Sequence, residues 1–375
     1  MALGNHSKVF ILTSQDENLD VLFVAMSMQC GGSERVISRI TEYLNSRGVR
    51  VGILTIADDG DDFFSLPTNV TRYRLNNSNH LFLNKSKLCR IIFTIGAVRQ
   101  YLKTLNPKKV ISFLPTPNVI SLIAGVGLKC ERVVCERNNP ERQKEVNIYW
   151  RLLRIFVYPL ASIVTVNSHA AERYFRHLRK FTSIVYVRNP PLHDEVKISS
   201  FREDVILFVG RLVYQKGLDV LLEALSLTRC LRDGWELHIV GDGPLKQQLL
   251  DCAAHLDISD SIKWMGQLER IGREYSSAAI FVLPSRYEGT SNALLEAMLH
   301  GLPILTTTHA AADVVENEIN GIVIEELSAS LIAESIDRLV EDKTLRLRLG
   351  RNARQIENEY DYETIMNSWY SICCS

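Results

Sequence analysis

The chain has 375 residues, 46% of them apolar, with 43 Lys/Arg against 43 Asp/Glu. That is enough length and apolar content for two packed cores, and it excludes a disordered chain. The longest apolar runs, such as residues 119–128, are too short to span a bilayer and no signal-like segment opens the chain, so a cytosolic protein is expected. The eight cysteines form no C-x-x-C pair and the nine histidines no H-x-x-H or H-E-x-x-H pattern, which argues for reduced, mostly buried thiols and against zinc or a disulfide framework. Cys373 and Cys374 do not make a prenylation box.

Strand-like and helix-like segments alternate along the chain. Residues 21–25 read as a strand, Gly31-Gly32 as a turn, 33–45 as a helix and 51–56 as a second strand. This alternation predicts two doubly wound parallel α/β sheets. Asp58-Asp59-Gly60-Asp61-Asp62 contains a D-x-D, a metal-nucleotide pattern, but five polar residues after a strand read better as a solvated loop; no metal is expected.

The charge is divided between the halves. Residues 1–190 hold 26 Lys/Arg and 14 Asp/Glu, and from Phe63 to Cys130 there are ten bases and no acid. Within that stretch Leu88, Ile91, Ile92, Ile95, Val98 and Leu102 keep helical spacing. A basic amphipathic helix favours an anionic membrane surface; the same stripe also fits a core-facing helix with solvated charges. With no recognised nucleic-acid motif beside the charge, nucleic acid is not an expected partner.

Residues 205–209 form a buried-strand pattern that stops at Gly210, followed by Arg211, Lys216 and an amphipathic helix. Ligands of open α/β sheets bind at the carboxyl ends of strands, where two cations can neutralise a diphosphate without a metal. Gly241-x-Gly243 lacks the third glycine of a dinucleotide fingerprint, which makes an oxidoreductase a poor fit.

About 70 residues on, a strand ends at Leu283-Pro284 and an Ala/Leu-rich helix begins near Ser291. The N–H groups of Gly289, Thr290, Ser291 and Asn292 are expected to face a pocket with the positive end of the helix dipole, Gly289 letting a ligand approach the main chain. Glu288 and Glu296 flank this turn, placed for a sugar hydroxyl and a ribose; two solvated acids on a capped helix are the alternative.

Glu288 with Glu296, an E-x7-E pair, and Arg211 with Lys216 together resemble the donor site of the retaining family 4 glycosyltransferases of the GT-B fold, in which such residues hold a nucleotide sugar. The resemblance runs from about Leu19 to the end of the chain. It implies that Gly31 and Gly32 lie against the donor phosphates, and that VGDGP (240–244) and Gly266-Gln267-Leu268 close over the base. It also makes VYVRNPP (185–191) the interdomain hinge and returns the last helix to the first domain. The domains implied are an acceptor-binding Rossmann-like domain, residues 1–188, a nucleotide-sugar domain, 189–358, and the returning helix, 359–375.

Two positions depart from the family pattern. Arg137, in VVCERNNP, stands at or near a histidine that many members carry, and Ala310-Ala311-Ala312 precede Asp313 where glycines are common. Arg137 cannot serve as a base at neutral pH; it can stabilise a phosphate or pair with Glu136 or Glu141. The resemblance implies retaining transfer without metal or other cofactor. Arg211 and Lys216 take the leaving charge, Glu288 orients the sugar, Glu296 holds the ribose, and Gly32, Gln267 and Leu268 join them as donor contacts. The expected substrates are a nucleotide sugar, with UDP favoured, and a polyprenyl-diphosphate-linked glycan at the inner membrane face, in O-antigen or capsule assembly. An epimerase of the same fold and a non-catalytic nucleotide-sugar binder are the competing readings.

Overall fold

A computed structural model describes residues 19–57, 60–75, 87–142, 148–191, 202–311 and 313–375. Among these, the first sheet comprises β1 (Val21–Ala25), β2 (Val51–Thr55), β3 (Thr71–Arg74), β4 (Lys109–Phe113), β5 (Glu131–Glu136), β6 (Ile163–Val166) and β7 (Ser183–Tyr186). The second comprises β8 (Val205–Val209), β9 (Glu236–Val240), β10 (Ile262–Gly266), β11 (Ile280–Leu283), β12 (Ile304–Thr307) and β13 (Gly321–Ile324). Every pairing is parallel, in the orders β3-β2-β1-β4-β5-β6-β7 and β10-β9-β8-β11-β12-β13. The central strands are buried at every position because helices cover both faces of a parallel sheet.

Each sheet therefore has a switch point, between β1 and β4 in one and between β8 and β11 in the other, where successive crossovers leave in opposite directions and open a crevice. The loops after β1, β8 and β11 meet there. One apolar cluster joins the domains, holding Phe23 and Phe113 of the first, Leu207 and Phe281 of the second, and Trp369.

Trp369 lies on the last helix, Tyr362–Cys374, whose N-terminus is capped by Asp361 accepting from the Thr364 amide at 2.8 Å. The helix packs on the first helix, Gly32–Ser46, and on β4. The fully buried Trp369 ring stacks on Phe113 with centroids 6.2 Å apart, and its Nε1 donates to the Arg188 carbonyl at 3.0 Å. This helix follows the second domain in sequence yet fills the core of the first, so its packing holds the two together. Trp369→Ala is expected to cost about 3–5 kcal/mol, and Asp361→Ala about 1 kcal/mol from the lost cap. Urea denaturation followed by circular dichroism measures both; equal small costs would remove Trp369 from the interdomain core.

Candidate active site

The crevice between the domains is lined from the first by Cys30 to Val36, Phe64, Leu114, Arg137 and Asn138, from the hinge by Asn189, and from the second by two groups of residues. One follows β8 to β10: Gly210, Arg211, Gln215, Lys216, Gly241, Asp242, Gln267 and Leu268. The other is Glu288 and Thr290 to Ala293. Nearly all the residues expected at a donor site thus converge, although their loops are far apart in sequence.

Two helices begin at the crevice, Gly32–Ser46 capped by Gly31 and Asn292–Leu299 capped by Ser291. Neither N-cap residue makes a side-chain capping bond, and both helix dipoles present their positive ends to the crevice. Arg211 adds an exposed guanidinium. An anion is attracted to this place by charge, dipole and backbone donors together.

Lys216 and Glu288 meet each other across the β8 and β11 loops, with Nζ 2.5 Å from Oε1. Ser285 Oγ donates to the same oxygen at 2.8 Å, and Gln215 Nε2 donates to Oε2 at 3.3 Å and to the Tyr287 carbonyl at 2.9 Å. The Glu288 amide donates to the His309 carbonyl at 3.0 Å. The carboxylate is therefore held at a fixed angle at the crevice wall. The turn before it is equally fixed, since Gly241, with φ of 143°, approaches the Gly210 carbonyl so closely that a Cβ there would lie 1.9 Å from its oxygen. VGDGP thus buttresses the Arg211 turn, and its Asp242 faces the crevice.

Three of the expected site residues have close partners within the protein itself. Glu296 does not stand free for a ribose: it is 1% exposed and sits in a bidentate pair with Arg35 Nη1 at 2.7 and 2.9 Å. Arg39 Nη2 lies 3.4 Å from it and Tyr275 OH donates at 3.1 Å. Both arginines come from the first domain. Gly289 is required by the protein's own packing, because a Cβ there would lie 2.4 Å from the Arg137 carbonyl oxygen and 2.7 Å from Asn167 Oδ1. The Arg137 guanidinium, finally, is not a ready phosphate ligand. It donates to Thr165 Oγ1 at 2.8 Å and to the Val187 carbonyl at 3.3 Å, and its centre lies 4.7 Å from the Trp369 ring centroid and 5.5 Å from that of Phe113. Burial pushes its pKa down, so the stacked rings and the two acceptors are what keep the charge in place.

Glu136 does not pair with Arg137 either. It is buried with Arg154 at 3.5 Å and accepts from the Tyr158 hydroxyl. Asp62 of the acidic loop is committed to Arg72 at 2.7 Å and Arg74 at 3.3 Å, while Asp58 and Asp59 lie outside the described residues. Asp313 Oδ2 accepts from the His169 amide of the first domain at 2.8 Å. The Glu288 to Asn292 turn has its own ties to the first domain. Thr290 Oγ1 donates to the Asn167 carbonyl at 2.5 Å, Asn189 Nδ2 donates to the Thr290 carbonyl at 3.1 Å, and Asn292 Nδ2 donates to the Gly32 carbonyl at 3.1 Å.

Sequence reasoning passed over Arg35, Arg39 and Tyr275. Arg35 and Arg39 are one helical turn apart directly behind Gly31-Gly32, a spacing that puts both cations on one face aimed along the crevice. Burial raises the Glu296 pKa, but Arg35 and Arg39 outweigh it and the net shift is downward. A depressed folded pKa adds stability that is complete above the ordinary carboxylate range and is lost as pH falls through the folded value. Glu296→Gln, which takes the shared carboxylate from two largely buried arginines, should lower stability by about 3 kcal/mol at neutral pH. Denaturation across a pH series should show that gap narrowing only below the ordinary glutamate range; a gap that closes near neutrality would rule out the ion pair as its source.

Comparison with known proteins agrees with this architecture. Residues 30–190 match the model described as "Glycosyltransferase Family 4" and residues 194–356 the one described as "Glycosyl transferases group 1". The chain is 25% identical over 366 residues, 94% of its length and 98% of the relative's, to a Campylobacter jejuni enzyme. That enzyme is named GalNAc-alpha-(1->4)-GalNAc-alpha-(1->3)-diNAcBac-PP-undecaprenol alpha-1,4-N-acetyl-D-galactosaminyltransferase. It is also 25% identical to the amylovoran biosynthesis glycosyltransferase AmsD of Erwinia amylovora, over 91% of this chain and 95% of that one. Among solved structures, Anabaena HepE in complex with UDP and glucose superposes with a TM-score of 0.75 at 19% identity, covering 95% of this chain and all of the other. With both domains matched, and with two parallel sheets facing one crevice, the chain belongs to the family 4 glycosyltransferases of the GT-B fold.

Proposed function

We propose that the protein transfers a glycosyl residue from a UDP-sugar to a polyprenyl-diphosphate-linked glycan, with retention of configuration and without a metal, in the assembly of a surface polysaccharide. The observation that carries this reading is the crevice itself. Lys216, Arg211 and two helix N-termini surround the place for a diphosphate, with the Glu288 carboxylate beside it. The Campylobacter relative's name specifies an undecaprenyl-diphosphate acceptor, amylovoran is the product pathway in the Erwinia relative's name, and the Anabaena neighbour was solved with UDP and glucose.

In this mechanism the diphosphate leaves toward Arg211, Lys216 and the amides of Thr290 to Asn292, which stabilise the charge as it develops. Glu288, held by Lys216, Ser285 and Gln215, accepts hydrogen bonds from the sugar hydroxyls. The acceptor hydroxyl attacks from the face the diphosphate leaves, and a phosphate oxygen takes its proton, so no side-chain base is required. Gln267 and Leu268 bound the nucleoside end of the crevice. Arg137 acts through position: its stacked guanidinium fixes the carbonyl against which Gly289 packs. The basic first domain faces the anionic inner surface of the membrane, where the lipid-linked acceptor resides.

Removing Lys216 or Arg211 deletes a charge-assisted contact of about 1.5–3 kcal/mol, so Lys216→Ala and Arg211→Ala should each weaken UDP binding roughly tenfold or more. Calorimetry with UDP tests this, and unchanged affinity in both variants would displace the donor site from this crevice. Turnover of a panel of UDP-sugars with an undecaprenyl-diphosphate-linked glycan, with and without EDTA, then identifies the sugar. Conversion of a UDP-sugar without acceptor and without release of UDP would favour an epimerase.

A further inference from the structure

One carboxylate of the crevice, that of Glu34, has no part in the transfer chemistry. Most of the other charged side chains that line the crevice are engaged within the protein. Arg35 pairs with Glu296, Lys216 with Glu288, and Arg137 donates to Thr165, while Asp242 accepts from the Gly243 amide at 2.8 Å and lies 3.6 Å from Lys246. Glu34 and Arg211 remain, one from each domain, and the guanidinium attracts the carboxylate.

Glu34 is the third residue of helix Gly32–Ser46, and its side chain turns back over the helix start. The carboxyl carbon lies 2.9 Å and Oε1 3.4 Å from the position a Cβ of Gly31 would take, with Oε2 nearer still. Gly31 has φ of −154°, an extended conformation open to any residue, so it is room for the carboxylate and not backbone freedom that calls for glycine there. Gly32 differs, its nearest neighbour on the Cβ side being Asn292 Nδ2 at 3.7 Å. The start of a helix attracts an anion through its unanswered amides and its dipole. Here an anion of the chain itself is already seated. Burial pushes the Glu34 pKa up further than its own amide and Arg211 lower it, and burial likewise raises the Cys30 thiol that faces it. The ionised carboxylate is therefore desolvated more than its partners offset, and an anion with more donors can replace it.

We propose that Glu34 is an internal anion of the donor site, whose carboxylate fills the head of the first helix and gives way to the diphosphate of a nucleotide sugar, which takes its place beside Arg211. The inference rests on the donor-site reading of the crevice and adds a control on that site. Two anions cannot share the place, because like charges so close repel and the helix amides serve only one of them. The exchange lowers the affinity for every anion that enters, the product included. Arg211 and two helix starts hold a released nucleoside diphosphate by the same contacts as the donor, and the returning Glu34 carboxylate is what loosens it.

Calorimetry on the full chain tests this with UDP, uridine and inorganic pyrophosphate. Glu34→Gln keeps the shape of the side chain and removes its charge. It should tighten UDP and pyrophosphate roughly fivefold to tenfold and leave uridine unchanged, because uridine brings no anion. Glu34→Asp, which keeps a charge at the same helix start, should stay close to the native affinities. Unchanged or weaker binding of both anions by Glu34→Gln overturns the inference, and so does an equal gain with uridine, which would assign the effect to packing. If neither chain binds UDP while Glu34→Gln still tightens pyrophosphate, the internal anion stands and the UDP-sugar reading falls.

Discussion

A buried carboxylate must be paired where it sits, and in this protein the pairing spans two domains. Glu296 lies in the first turns of a helix of the second domain, is withdrawn from water, and has its counter-ions, Arg35 and Arg39, on the first helix of the first domain. Desolvating three charges is costly unless all are satisfied together, so this cluster prefers one relative placement of the two sheets. In that placement the N-termini of both helices converge on one crevice, Asn292 reaches the Gly32 carbonyl, and Gly289 fits beneath Arg137. A ribose hydroxyl seeking Glu296 must therefore compete with Arg35 for its oxygens. The carboxylate that was expected to meet a ribose is thus engaged in holding the domains together.

The fold was readable because its signals are local. Runs such as 205–209 and 280–283 are apolar, short and closed by Gly210 and Pro284, and both became central strands with their loops at the switch point. The helix expected at 33–45 is observed at Gly32–Ser46, and the last helix does return to the first domain. The convergence of Arg211, Lys216 and Glu288 followed from strand-end logic. What was not readable was which partner each charge would choose. Arg35 and Glu296 are separated by 261 positions, and nothing local distinguishes an arginine that meets a carboxylate of the other domain from one that meets solvent. Gly289 is similar: a glycine beside a helix start fits a ligand's approach and a main chain's equally well, and only the packed structure shows which.

The helices of the first domain show the same limit of periodicity. In Lys87–Leu105, Val98 and Leu102 of the apolar stripe are buried, while Ile92 and Phe93 near its start are exposed. The stripe is therefore part core and part surface, and its helical spacing fits both. In helix Ile148–Val157 apolar residues occupy both the inner and the outer face, a pattern that a short buried helix shares. Only exposure separates them, and exposure is a property of the whole domain.

Electrostatic division follows from these placements. Lys216 and Glu288 neutralise each other at 2.5 Å, so the crevice's net attraction for a diphosphate comes from Arg211, the helix N-termini and whatever share of Lys216 a phosphate oxygen can draw from Glu288. Were a diphosphate to claim part of the Lys216 ammonium, Glu288 would keep Ser285 and Gln215 as donors. Under the proposed function the pair would link the two ends of the donor, charge arriving on the phosphate side releasing hydrogen-bonding capacity on the sugar side. A chain with the lysine alone would bind the phosphate and leave the sugar unoriented, and one with the glutamate alone would repel the phosphate it must lie beside.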